Sequence, residues 1–264
     1  NPMISCITII NPNNPAGAVY PREVMEEIVG IAKEYDLFVI CDEIYANIIY
    51  NGAEPVLLGD VIGGVCGISM KGISKELPWP GARCGWIEVY NSSRDSNFAA
   101  YVKSILDCKM LEVCSTTLPQ YVIPKILSDP RYEEYHKKRN GVYAERAGIA
   151  YNILKSLDGI IVNKTEGAFY MTLAFKDGVL NNKQKLEVRN EKARSYVERI
   201  SNGTELDKRF AYYLMAKTGI CVVPLTGFEC KTNGFRVTLL ENDDKKFKWI
   251  FDTIRDCIKE YLAS

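Results

Sequence analysis

Short β-branched runs alternate with longer stretches of helical repeat along the first third of the chain. Met3 to Ile10 predicts a buried strand that empties into a turn cluster of Asn, Pro and Gly at 11–17. Pro21 to Asp36 carries Val24, Ile28, Ile31 and Ala32 at helical spacing behind a proline, which predicts a helix. Leu37 to Cys41 is the next strand. Strand, helix, strand in this order predicts a parallel βαβ unit, whose ligands collect at the carboxyl ends of the strands. That places Asn14, Asp42 and Tyr45 on one rim. Val65 to Met70 and Ala82 to Tyr90 predict two further strands flanking a loop around Lys75.

The rest of the chain is more helical. Helices are expected over Ser96–Leu111 and Pro119–Leu127. A long one over Arg131–Leu157 is expected to run from a large domain into a smaller one, so the division is placed at 1–135 and 136–264. Short strands at Ile160–Val162 and Ala168–Ala174 flank Gly167. Residues 176–205 are polar and predict a surface excursion with one helix near Glu187–Ile200. A short helix over Phe210–Thr218 stops at Gly219, strands follow at Ile220–Pro224 and Phe235–Leu240, and Lys245–Leu262 closes as an amphipathic helix.

Composition narrows the chemistry. Lys+Arg and Asp+Glu balance at 33 each, which gives no reason to expect a nucleic-acid or anionic-membrane partner. No apolar run approaches the roughly 20 residues of a membrane span. Nine scattered cysteines without a Cys-x-x-Cys spacing predict reduced core thiols and a cytoplasmic setting. His136 is the only histidine, expected on a helix surface, which leaves no His-rich metal site and no Ser-His-Asp arrangement. Catalysis would have to come from Lys, Asp, Tyr and Arg, or from a cofactor.

One stretch concentrates such groups: Gly72-Ile-Ser-Lys-Glu-Leu-Pro-Trp-Pro-Gly-Ala-Arg-Cys-Gly-Trp86. The Ser74 hydroxyl and Arg83 guanidinium are donors suited to a phosphate, and the glycines allow close backbone approach. A lysine beside cationic donors and partly desolvated is primed for Schiff-base chemistry. Upstream stand Asn11-Pro-Asn-Asn-Pro-Ala-Gly17 and Asp42-Glu-Ile-Tyr45. The spacings are 28 residues from Asn14 to Asp42, 33 from Asp42 to Lys75 and 8 from Lys75 to Arg83.

These four motifs, in this order, resemble the fold-type I pyridoxal-phosphate aminotransferases of class I/II, on the alanine/tyrosine aminotransferase-like side. The resemblance implies an α/β, PLP-dependent transferase-like fold of the aspartate aminotransferase type. The expected parts are a partial large domain with a parallel-rich sheet and a small C-terminal α/β domain. It implies pyridoxal 5'-phosphate as cofactor and Lys75 as the residue forming the internal aldimine and moving the proton in the 1,3-shift. Asp42 would face the pyridine nitrogen, Tyr45 and Asn14 the ring's phenolic oxygen, and Ser74 and Arg83 the phosphate. Arg236, in Gly234-Phe-Arg-Val237, would grip the substrate α-carboxylate, with Asn14 also reaching substrate.

The implied partners are an amino acid (alanine, glutamate or aromatic) and a 2-oxo acid, with a homodimer in the full-length protein. Ala16 and Gly72 depart from the family's Thr and phosphate-binding Ser. The family's amino-terminal segment, with its phosphate loop and several strands, is expected to be missing ahead of Asn1. That would expose a sheet edge and weaken cofactor binding. A pyridoxal-phosphate C–S β-lyase, a relative of aminocyclopropane-carboxylate synthase and a non-catalytic aminotransferase fragment are the alternatives.

Overall fold

The computed structural model describes residues 3–264, and the chain forms two compact units. The first comprises Asn1–Asn14, Ala18–Gly141 and Glu166–Ala168; the second comprises Pro15–Gly17, Val142–Thr165 and Phe169–Ser264.

In the first unit, β1 (Cys6–Ile10), α1 (Arg22–Glu34) and β2 (Phe38–Asp42) form the expected parallel unit. The helix α2 (Leu58–Val61) precedes β3 (Gly67–Gly72), which lies parallel to β2. One turn of helix, α3 (Ile73–Glu76), then leads to β4 (Gly85–Tyr90), antiparallel to β3. The strands lie in the order β1-β2-β3-β4, with Ile10, Asp42, Met70 and Ile87 in one row across the sheet. α4 (Ser96–Lys109) starts at the Asp95 cap, whose carboxylate accepts from the Phe98 N–H at 2.6 Å, and α5 (Thr117–Leu127) follows.

Two expectations shift here. β1 is shorter than Met3–Ile10 and only half-buried, because it is an edge strand of the described sheet; Met3 and Ile4 are exposed. On α1 the residues facing the core are Met25, Val29 and Ala32, whereas Val24 and Ile31 are exposed. They pack on Val39 and Cys41 of β2 and on Leu58 and Ile62. Full burial of a side chain such as Met25 is worth about 1.5–3 kcal/mol.

The helix α6 (Arg131–Leu154) carries the chain from the first unit into the second at Gly141–Val142. The second unit holds an antiparallel sheet of β5 (Ile160–Val162), β6 (Tyr170–Phe175), β7 (Val223–Pro224) and β8 (Gly234–Thr238) in the order β5-β6-β8-β7. Its helices are α7 (Glu191–Ile200), α8 (Leu206–Thr218) and α9 (Asp244–Ala263). Asn190 and Asp243 cap α7 and α9, and Gly219, at φ 77°, ends α8 as expected. The core is aromatic: Phe210 contacts Phe175, Phe235 and Tyr261 at centroid distances of 5.1–5.4 Å.

The segment 176–190 is not the surface excursion its polarity suggests. Leu180, Leu186 and Val188 are buried, and Gln184 is buried with them, its amide donating to the Val179 carbonyl and its oxygen accepting from the Asn181 N–H. The polar positions between these anchors hide the pattern. The cysteines also differ from expectation. All nine are free, but only Cys41 and Cys257 are buried, while Cys108, Cys114, Cys221 and Cys230 are exposed.

Candidate active site

The row Ile10–Asp42–Met70 marks the carboxyl ends of three neighbouring parallel strands. Asn14 lies four residues beyond β1, Asp42 ends β2 with Tyr45 three residues on, and Ser74 and Lys75 sit in α3 immediately after β3. Because β4 runs the other way, Arg83, two residues before it, reaches the same rim. Parallel strands lie about 4.8 Å apart, so the topology alone gathers these six residues at one end of one sheet.

Each is held by its local chemistry. Asn11 is buried; its side-chain oxygen accepts from the Tyr20 N–H at 2.9 Å and its amide donates to the Val56 carbonyl at 3.1 Å. With the Asn13 N–H on the Ala18 carbonyl at 2.8 Å, this closes the turn that presents Asn14. Asp42 accepts from the Ile44 N–H at 3.0 Å, an Asx turn that starts the Tyr45 loop. Tyr45 itself is 3% exposed. Gly72 pairs with Gly85 where β3 meets β4. A Cβ on Gly85 would come within 2.8 Å of the Lys71 carbonyl, and one on Gly72 within 3.1 Å of the Cys84 carbonyl. The two backbones thus approach closely at the 72–85 pair. Arg83 is exposed, with φ 52°, and spends one guanidinium donor on the Pro80 carbonyl at 3.0 Å.

Behind the rim lies a cavity of about 400 Å³, lined by Glu43, Asn47, Lys71, Glu76, Glu88 and Tyr132. Glu43 is buried and accepts from the Leu58 N–H at 2.6 Å, and Lys71 lies 3.5 Å from its other oxygen. Burial pushes the Glu43 carboxyl above the usual carboxylate range. Lys71 also donates to Glu88 at 2.9 Å, and the Tyr90 hydroxyl donates to the same carboxylate at 2.8 Å. The sequence reading passed over Glu43, Asn47, Glu76 and Arg139. A signal was available for two of them, since Glu43 and Glu76 are acids directly beside Asp42 and Lys75 with an apolar residue on the other side; Asn47 and Arg139 carried none.

His136 is half-buried rather than a surface residue. It packs edge-on against Tyr132, and its Nδ1 lies 2.7 Å from the Arg139 guanidinium. Guanidinium can only donate, so Nδ1 accepts and the ring is neutral. Burial, and then the Arg139 charge, push its pKa down to about 4.

In the second unit, Arg236 lies on β8 paired with Thr172 and Val223, its guanidinium 4.3 Å from the Tyr170 ring centre and 5.1 Å from that of Phe228. A planar cation held between aromatic faces keeps a fixed orientation. The buried Asp207 braces the same strand by accepting from the Thr226 N–H and hydroxyl at 2.9 and 2.7 Å and from the Gly234 N–H at 3.4 Å.

The parallel-rich sheet and the α/β order of elements are those of the aspartate aminotransferase fold. The family model for aminotransferase class I and II matches residues 1–248, and the chain belongs to that family. It is 56% identical over its whole length to an uncharacterised aminotransferase of Methanocaldococcus jannaschii, of which it spans 61%. It is 31% identical over 171 residues to a glutamate-pyruvate aminotransferase of Haemophilus influenzae, a match covering 65% of this chain and 42% of the relative. Among solved structures, the alanine aminotransferase of Pyrococcus furiosus superposes with a TM-score of 0.79 at 26% identity, over 97% of this chain and 58% of that one. An Escherichia coli aminotransferase shares the fold with a TM-score of 0.81 at 22% identity, over 99% and 59%. The chain therefore spans about three fifths of the relatives it matches along its full length.

Proposed function

We propose that this chain carries the lysine-bearing part of a pyridoxal 5'-phosphate aminotransferase that moves an amino group between an α-amino acid and a 2-oxo acid. The observation that carries the reading is the convergence of Lys75, Asp42 and Tyr45 on one sheet rim inside a member of this family. The donor set suits the cofactor: a lysine amine, a carboxylate at a strand end, a phenol and an amide for a ring oxygen, and a hydroxyl and guanidinium for a phosphate. Bound there, the cofactor supplies the electron sink that lets the amino acid's Cα–H bond break.

Lys75 holds the cofactor and then carries the proton to and from Cα. Asp42 keeps a proton on the pyridine nitrogen by its charge. Tyr45 and Asn14 hydrogen-bond the ring oxygen, and Ser74 and Arg83 take the phosphate. Arg236 receives the substrate α-carboxylate in a two-pronged pair, with Asn14 also touching substrate. The names of the relatives favour alanine, glutamate or an aromatic amino acid as donor.

We also infer a cytoplasmic setting and a homodimer in the full-length protein, serving amino-acid metabolism. Support comes from nine free cysteines and from the exposed apolar run Leu106, Met110, Leu111, Val113, Leu118 and Tyr121. Among the described residues no helix is long and apolar enough to cross a membrane. The assay is amine transfer from alanine, glutamate or tyrosine to 2-oxoglutarate or pyruvate. Transfer dependent on the 2-oxo acid supports the reading, and release of ammonia and pyruvate without it would favour the C–S β-lyase.

A further inference from the structure

Two loops of the rim are tied together by groups outside the catalytic set, all within the first unit. Glu76 follows Lys75 directly and ends α3. Its carboxylate reaches across to Asn47, two residues beyond Tyr45, accepting from the Asn47 N–H at 2.8 Å with one oxygen and from the Asn47 side-chain amide at 3.0 Å with the other. The Tyr132 hydroxyl closes on the second oxygen at 3.5 Å.

A second fastening repeats the first from the opposite direction. The Arg139 guanidinium on α6 donates to the backbone carbonyl of Glu76 and, at 2.6 Å, to the backbone carbonyl of Asn47. Asn140 adds a bond to the same Asn47 carbonyl at 3.0 Å. His136, accepting from Arg139, and Asn140, accepting from its Nε at 3.2 Å, leave that guanidinium little freedom to swing away. One side chain thus grips both donors of residue 47, and another grips the acceptors of residues 47 and 76.

Resting on the assignment of Lys75 made above, we propose that Glu76 is a positioning residue: its two-oxygen grip on Asn47, seconded by Arg139, fixes the Lys75 turn in register with the Asp42–Tyr45 turn. A lysine amine stands at the end of a flexible four-carbon stem, so its direction depends on a rigid base. Misplacement by about 1 Å costs on the order of 10²-fold in rate where two groups must meet. A carboxylate accepting two bonds is suited to this: burial raises its pKa, the Asn47 bonds and the Arg139 charge oppose that rise, and bonds to the charged form are roughly twice as strong as neutral ones. The grip accounts for an acid beside the lysine and for an amide, rather than another acid, at 47.

The test needs no cofactor. The amine of Lys75 is labelled competitively with acetic anhydride in the 264-residue chain, its rate read by mass spectrometry relative to the other lysines, with amide exchange followed across residues 45–48. Wild type is compared with Glu76→Gln, Glu76→Ala, Asn47→Ala and the double alanine variant. Glu76→Ala should change the relative rate at Lys75 by at least about 3-fold and raise exchange at Asn47 by about 10-fold, in line with a lost charge-assisted bond. Glu76→Gln, which keeps one acceptor, should fall between. Asn47→Ala removes the side-chain amide bond and leaves the backbone N–H bond, so it should move the Lys75 rate part of the way, and the double variant should go no further than Glu76→Ala alone. Glu76→Gln keeps the site's volume and Asn47→Ala trims only an exposed amide, so these two carry the test if Glu76→Ala does not fold.

A lowered melting temperature with an unchanged relative rate at Lys75 in both conservative variants would make Glu76 merely structural and overturn the proposal. A wild-type chain that takes no pyridoxal phosphate at Lys75 would instead count against Lys75 as the cofactor lysine of this chain, and the labelling comparison would stand by itself.

Discussion

Asp42 has one observed and one proposed role, and a single substitution separates them. Its carboxylate caps the turn through the Ile44 N–H, and its charge is the part assigned to the pyridine nitrogen. Asn at 42 keeps an oxygen for the turn and loses the charge. Asp42→Asn should therefore cut amino transfer by about 10²-fold or more with an unchanged melting temperature, since preorganised charge at the reacting group is usually the large contribution. A variant that melts lower and transfers normally would return Asp42 to the role of a turn cap.

His136 gives a pH prediction whose sign follows from its neutral state. Unfolded, the imidazole titrates near 6.5; folded, near 4, so the unfolded chain binds the extra proton between those values. Stability contributed by the neutral ring is present above pH 6.5 and is lost as pH falls towards 4. Denaturation midpoints measured from pH 7 to pH 4 should fall more steeply for wild type than for His136→Gln, whose side-chain oxygen can still accept from Arg139. Parallel curves would contradict it. The motif residues were legible at this scale because each carries unusual chemistry beside a turn. His136 was misjudged because its burial comes from Tyr132 and Tyr135 on its own helix, and a helical repeat does not reveal which polar residues pack together.

At the scale of elements, Gly219 was a reliable signal and stops its helix where expected, whereas Asp95, Asn190 and Asp243, which cap three helices, were not read as caps. The buried face of α1 was less legible, because apolar residues lie on more than one side of that helix and only contact with β2 selects Met25, Val29 and Ala32. The segment Glu166–Ala168 was invisible for another reason: its partners lie more than a hundred residues away. Ile49 bridges Gly167, the Tyr50 N–H donates to the Glu166 carbonyl at 2.8 Å, and the Tyr50 hydroxyl donates to the Gly167 carbonyl at 3.2 Å.

Gly167 also packs against the Asn-Pro turn. A Cβ there would lie 2.6 Å from Pro12 Cβ and 2.7 Å from Val19 Cγ2, and neither neighbour can move aside cheaply. Gly167→Ala should destabilise the chain by about 1–3 kcal/mol, the usual cost of overpacking, as measured by urea denaturation. An unchanged midpoint would mean that the turn presenting Asn14 yields more easily than its packing suggests.

For the whole molecule, two units of different sheet type carry the proposed groups, the parallel-rich one Lys75 and the antiparallel one Arg236. The exposed run from Leu106 to Tyr121 makes a specific demand on assembly. Sedimentation at micromolar concentration should give a dimer, and Met110→Lys with Val113→Lys should give a monomer. A wild-type monomer would mean that the run does not by itself hold two copies of this chain together.

The central claim is that Lys75 is the cofactor lysine, and it can be read directly. The chain is incubated with pyridoxal phosphate, reduced with borohydride, digested and mapped by mass spectrometry. The account predicts close to one label per chain, at Lys75, absent from Lys75→Ala. Label spread over surface lysines, or none on a folded chain, would contradict it.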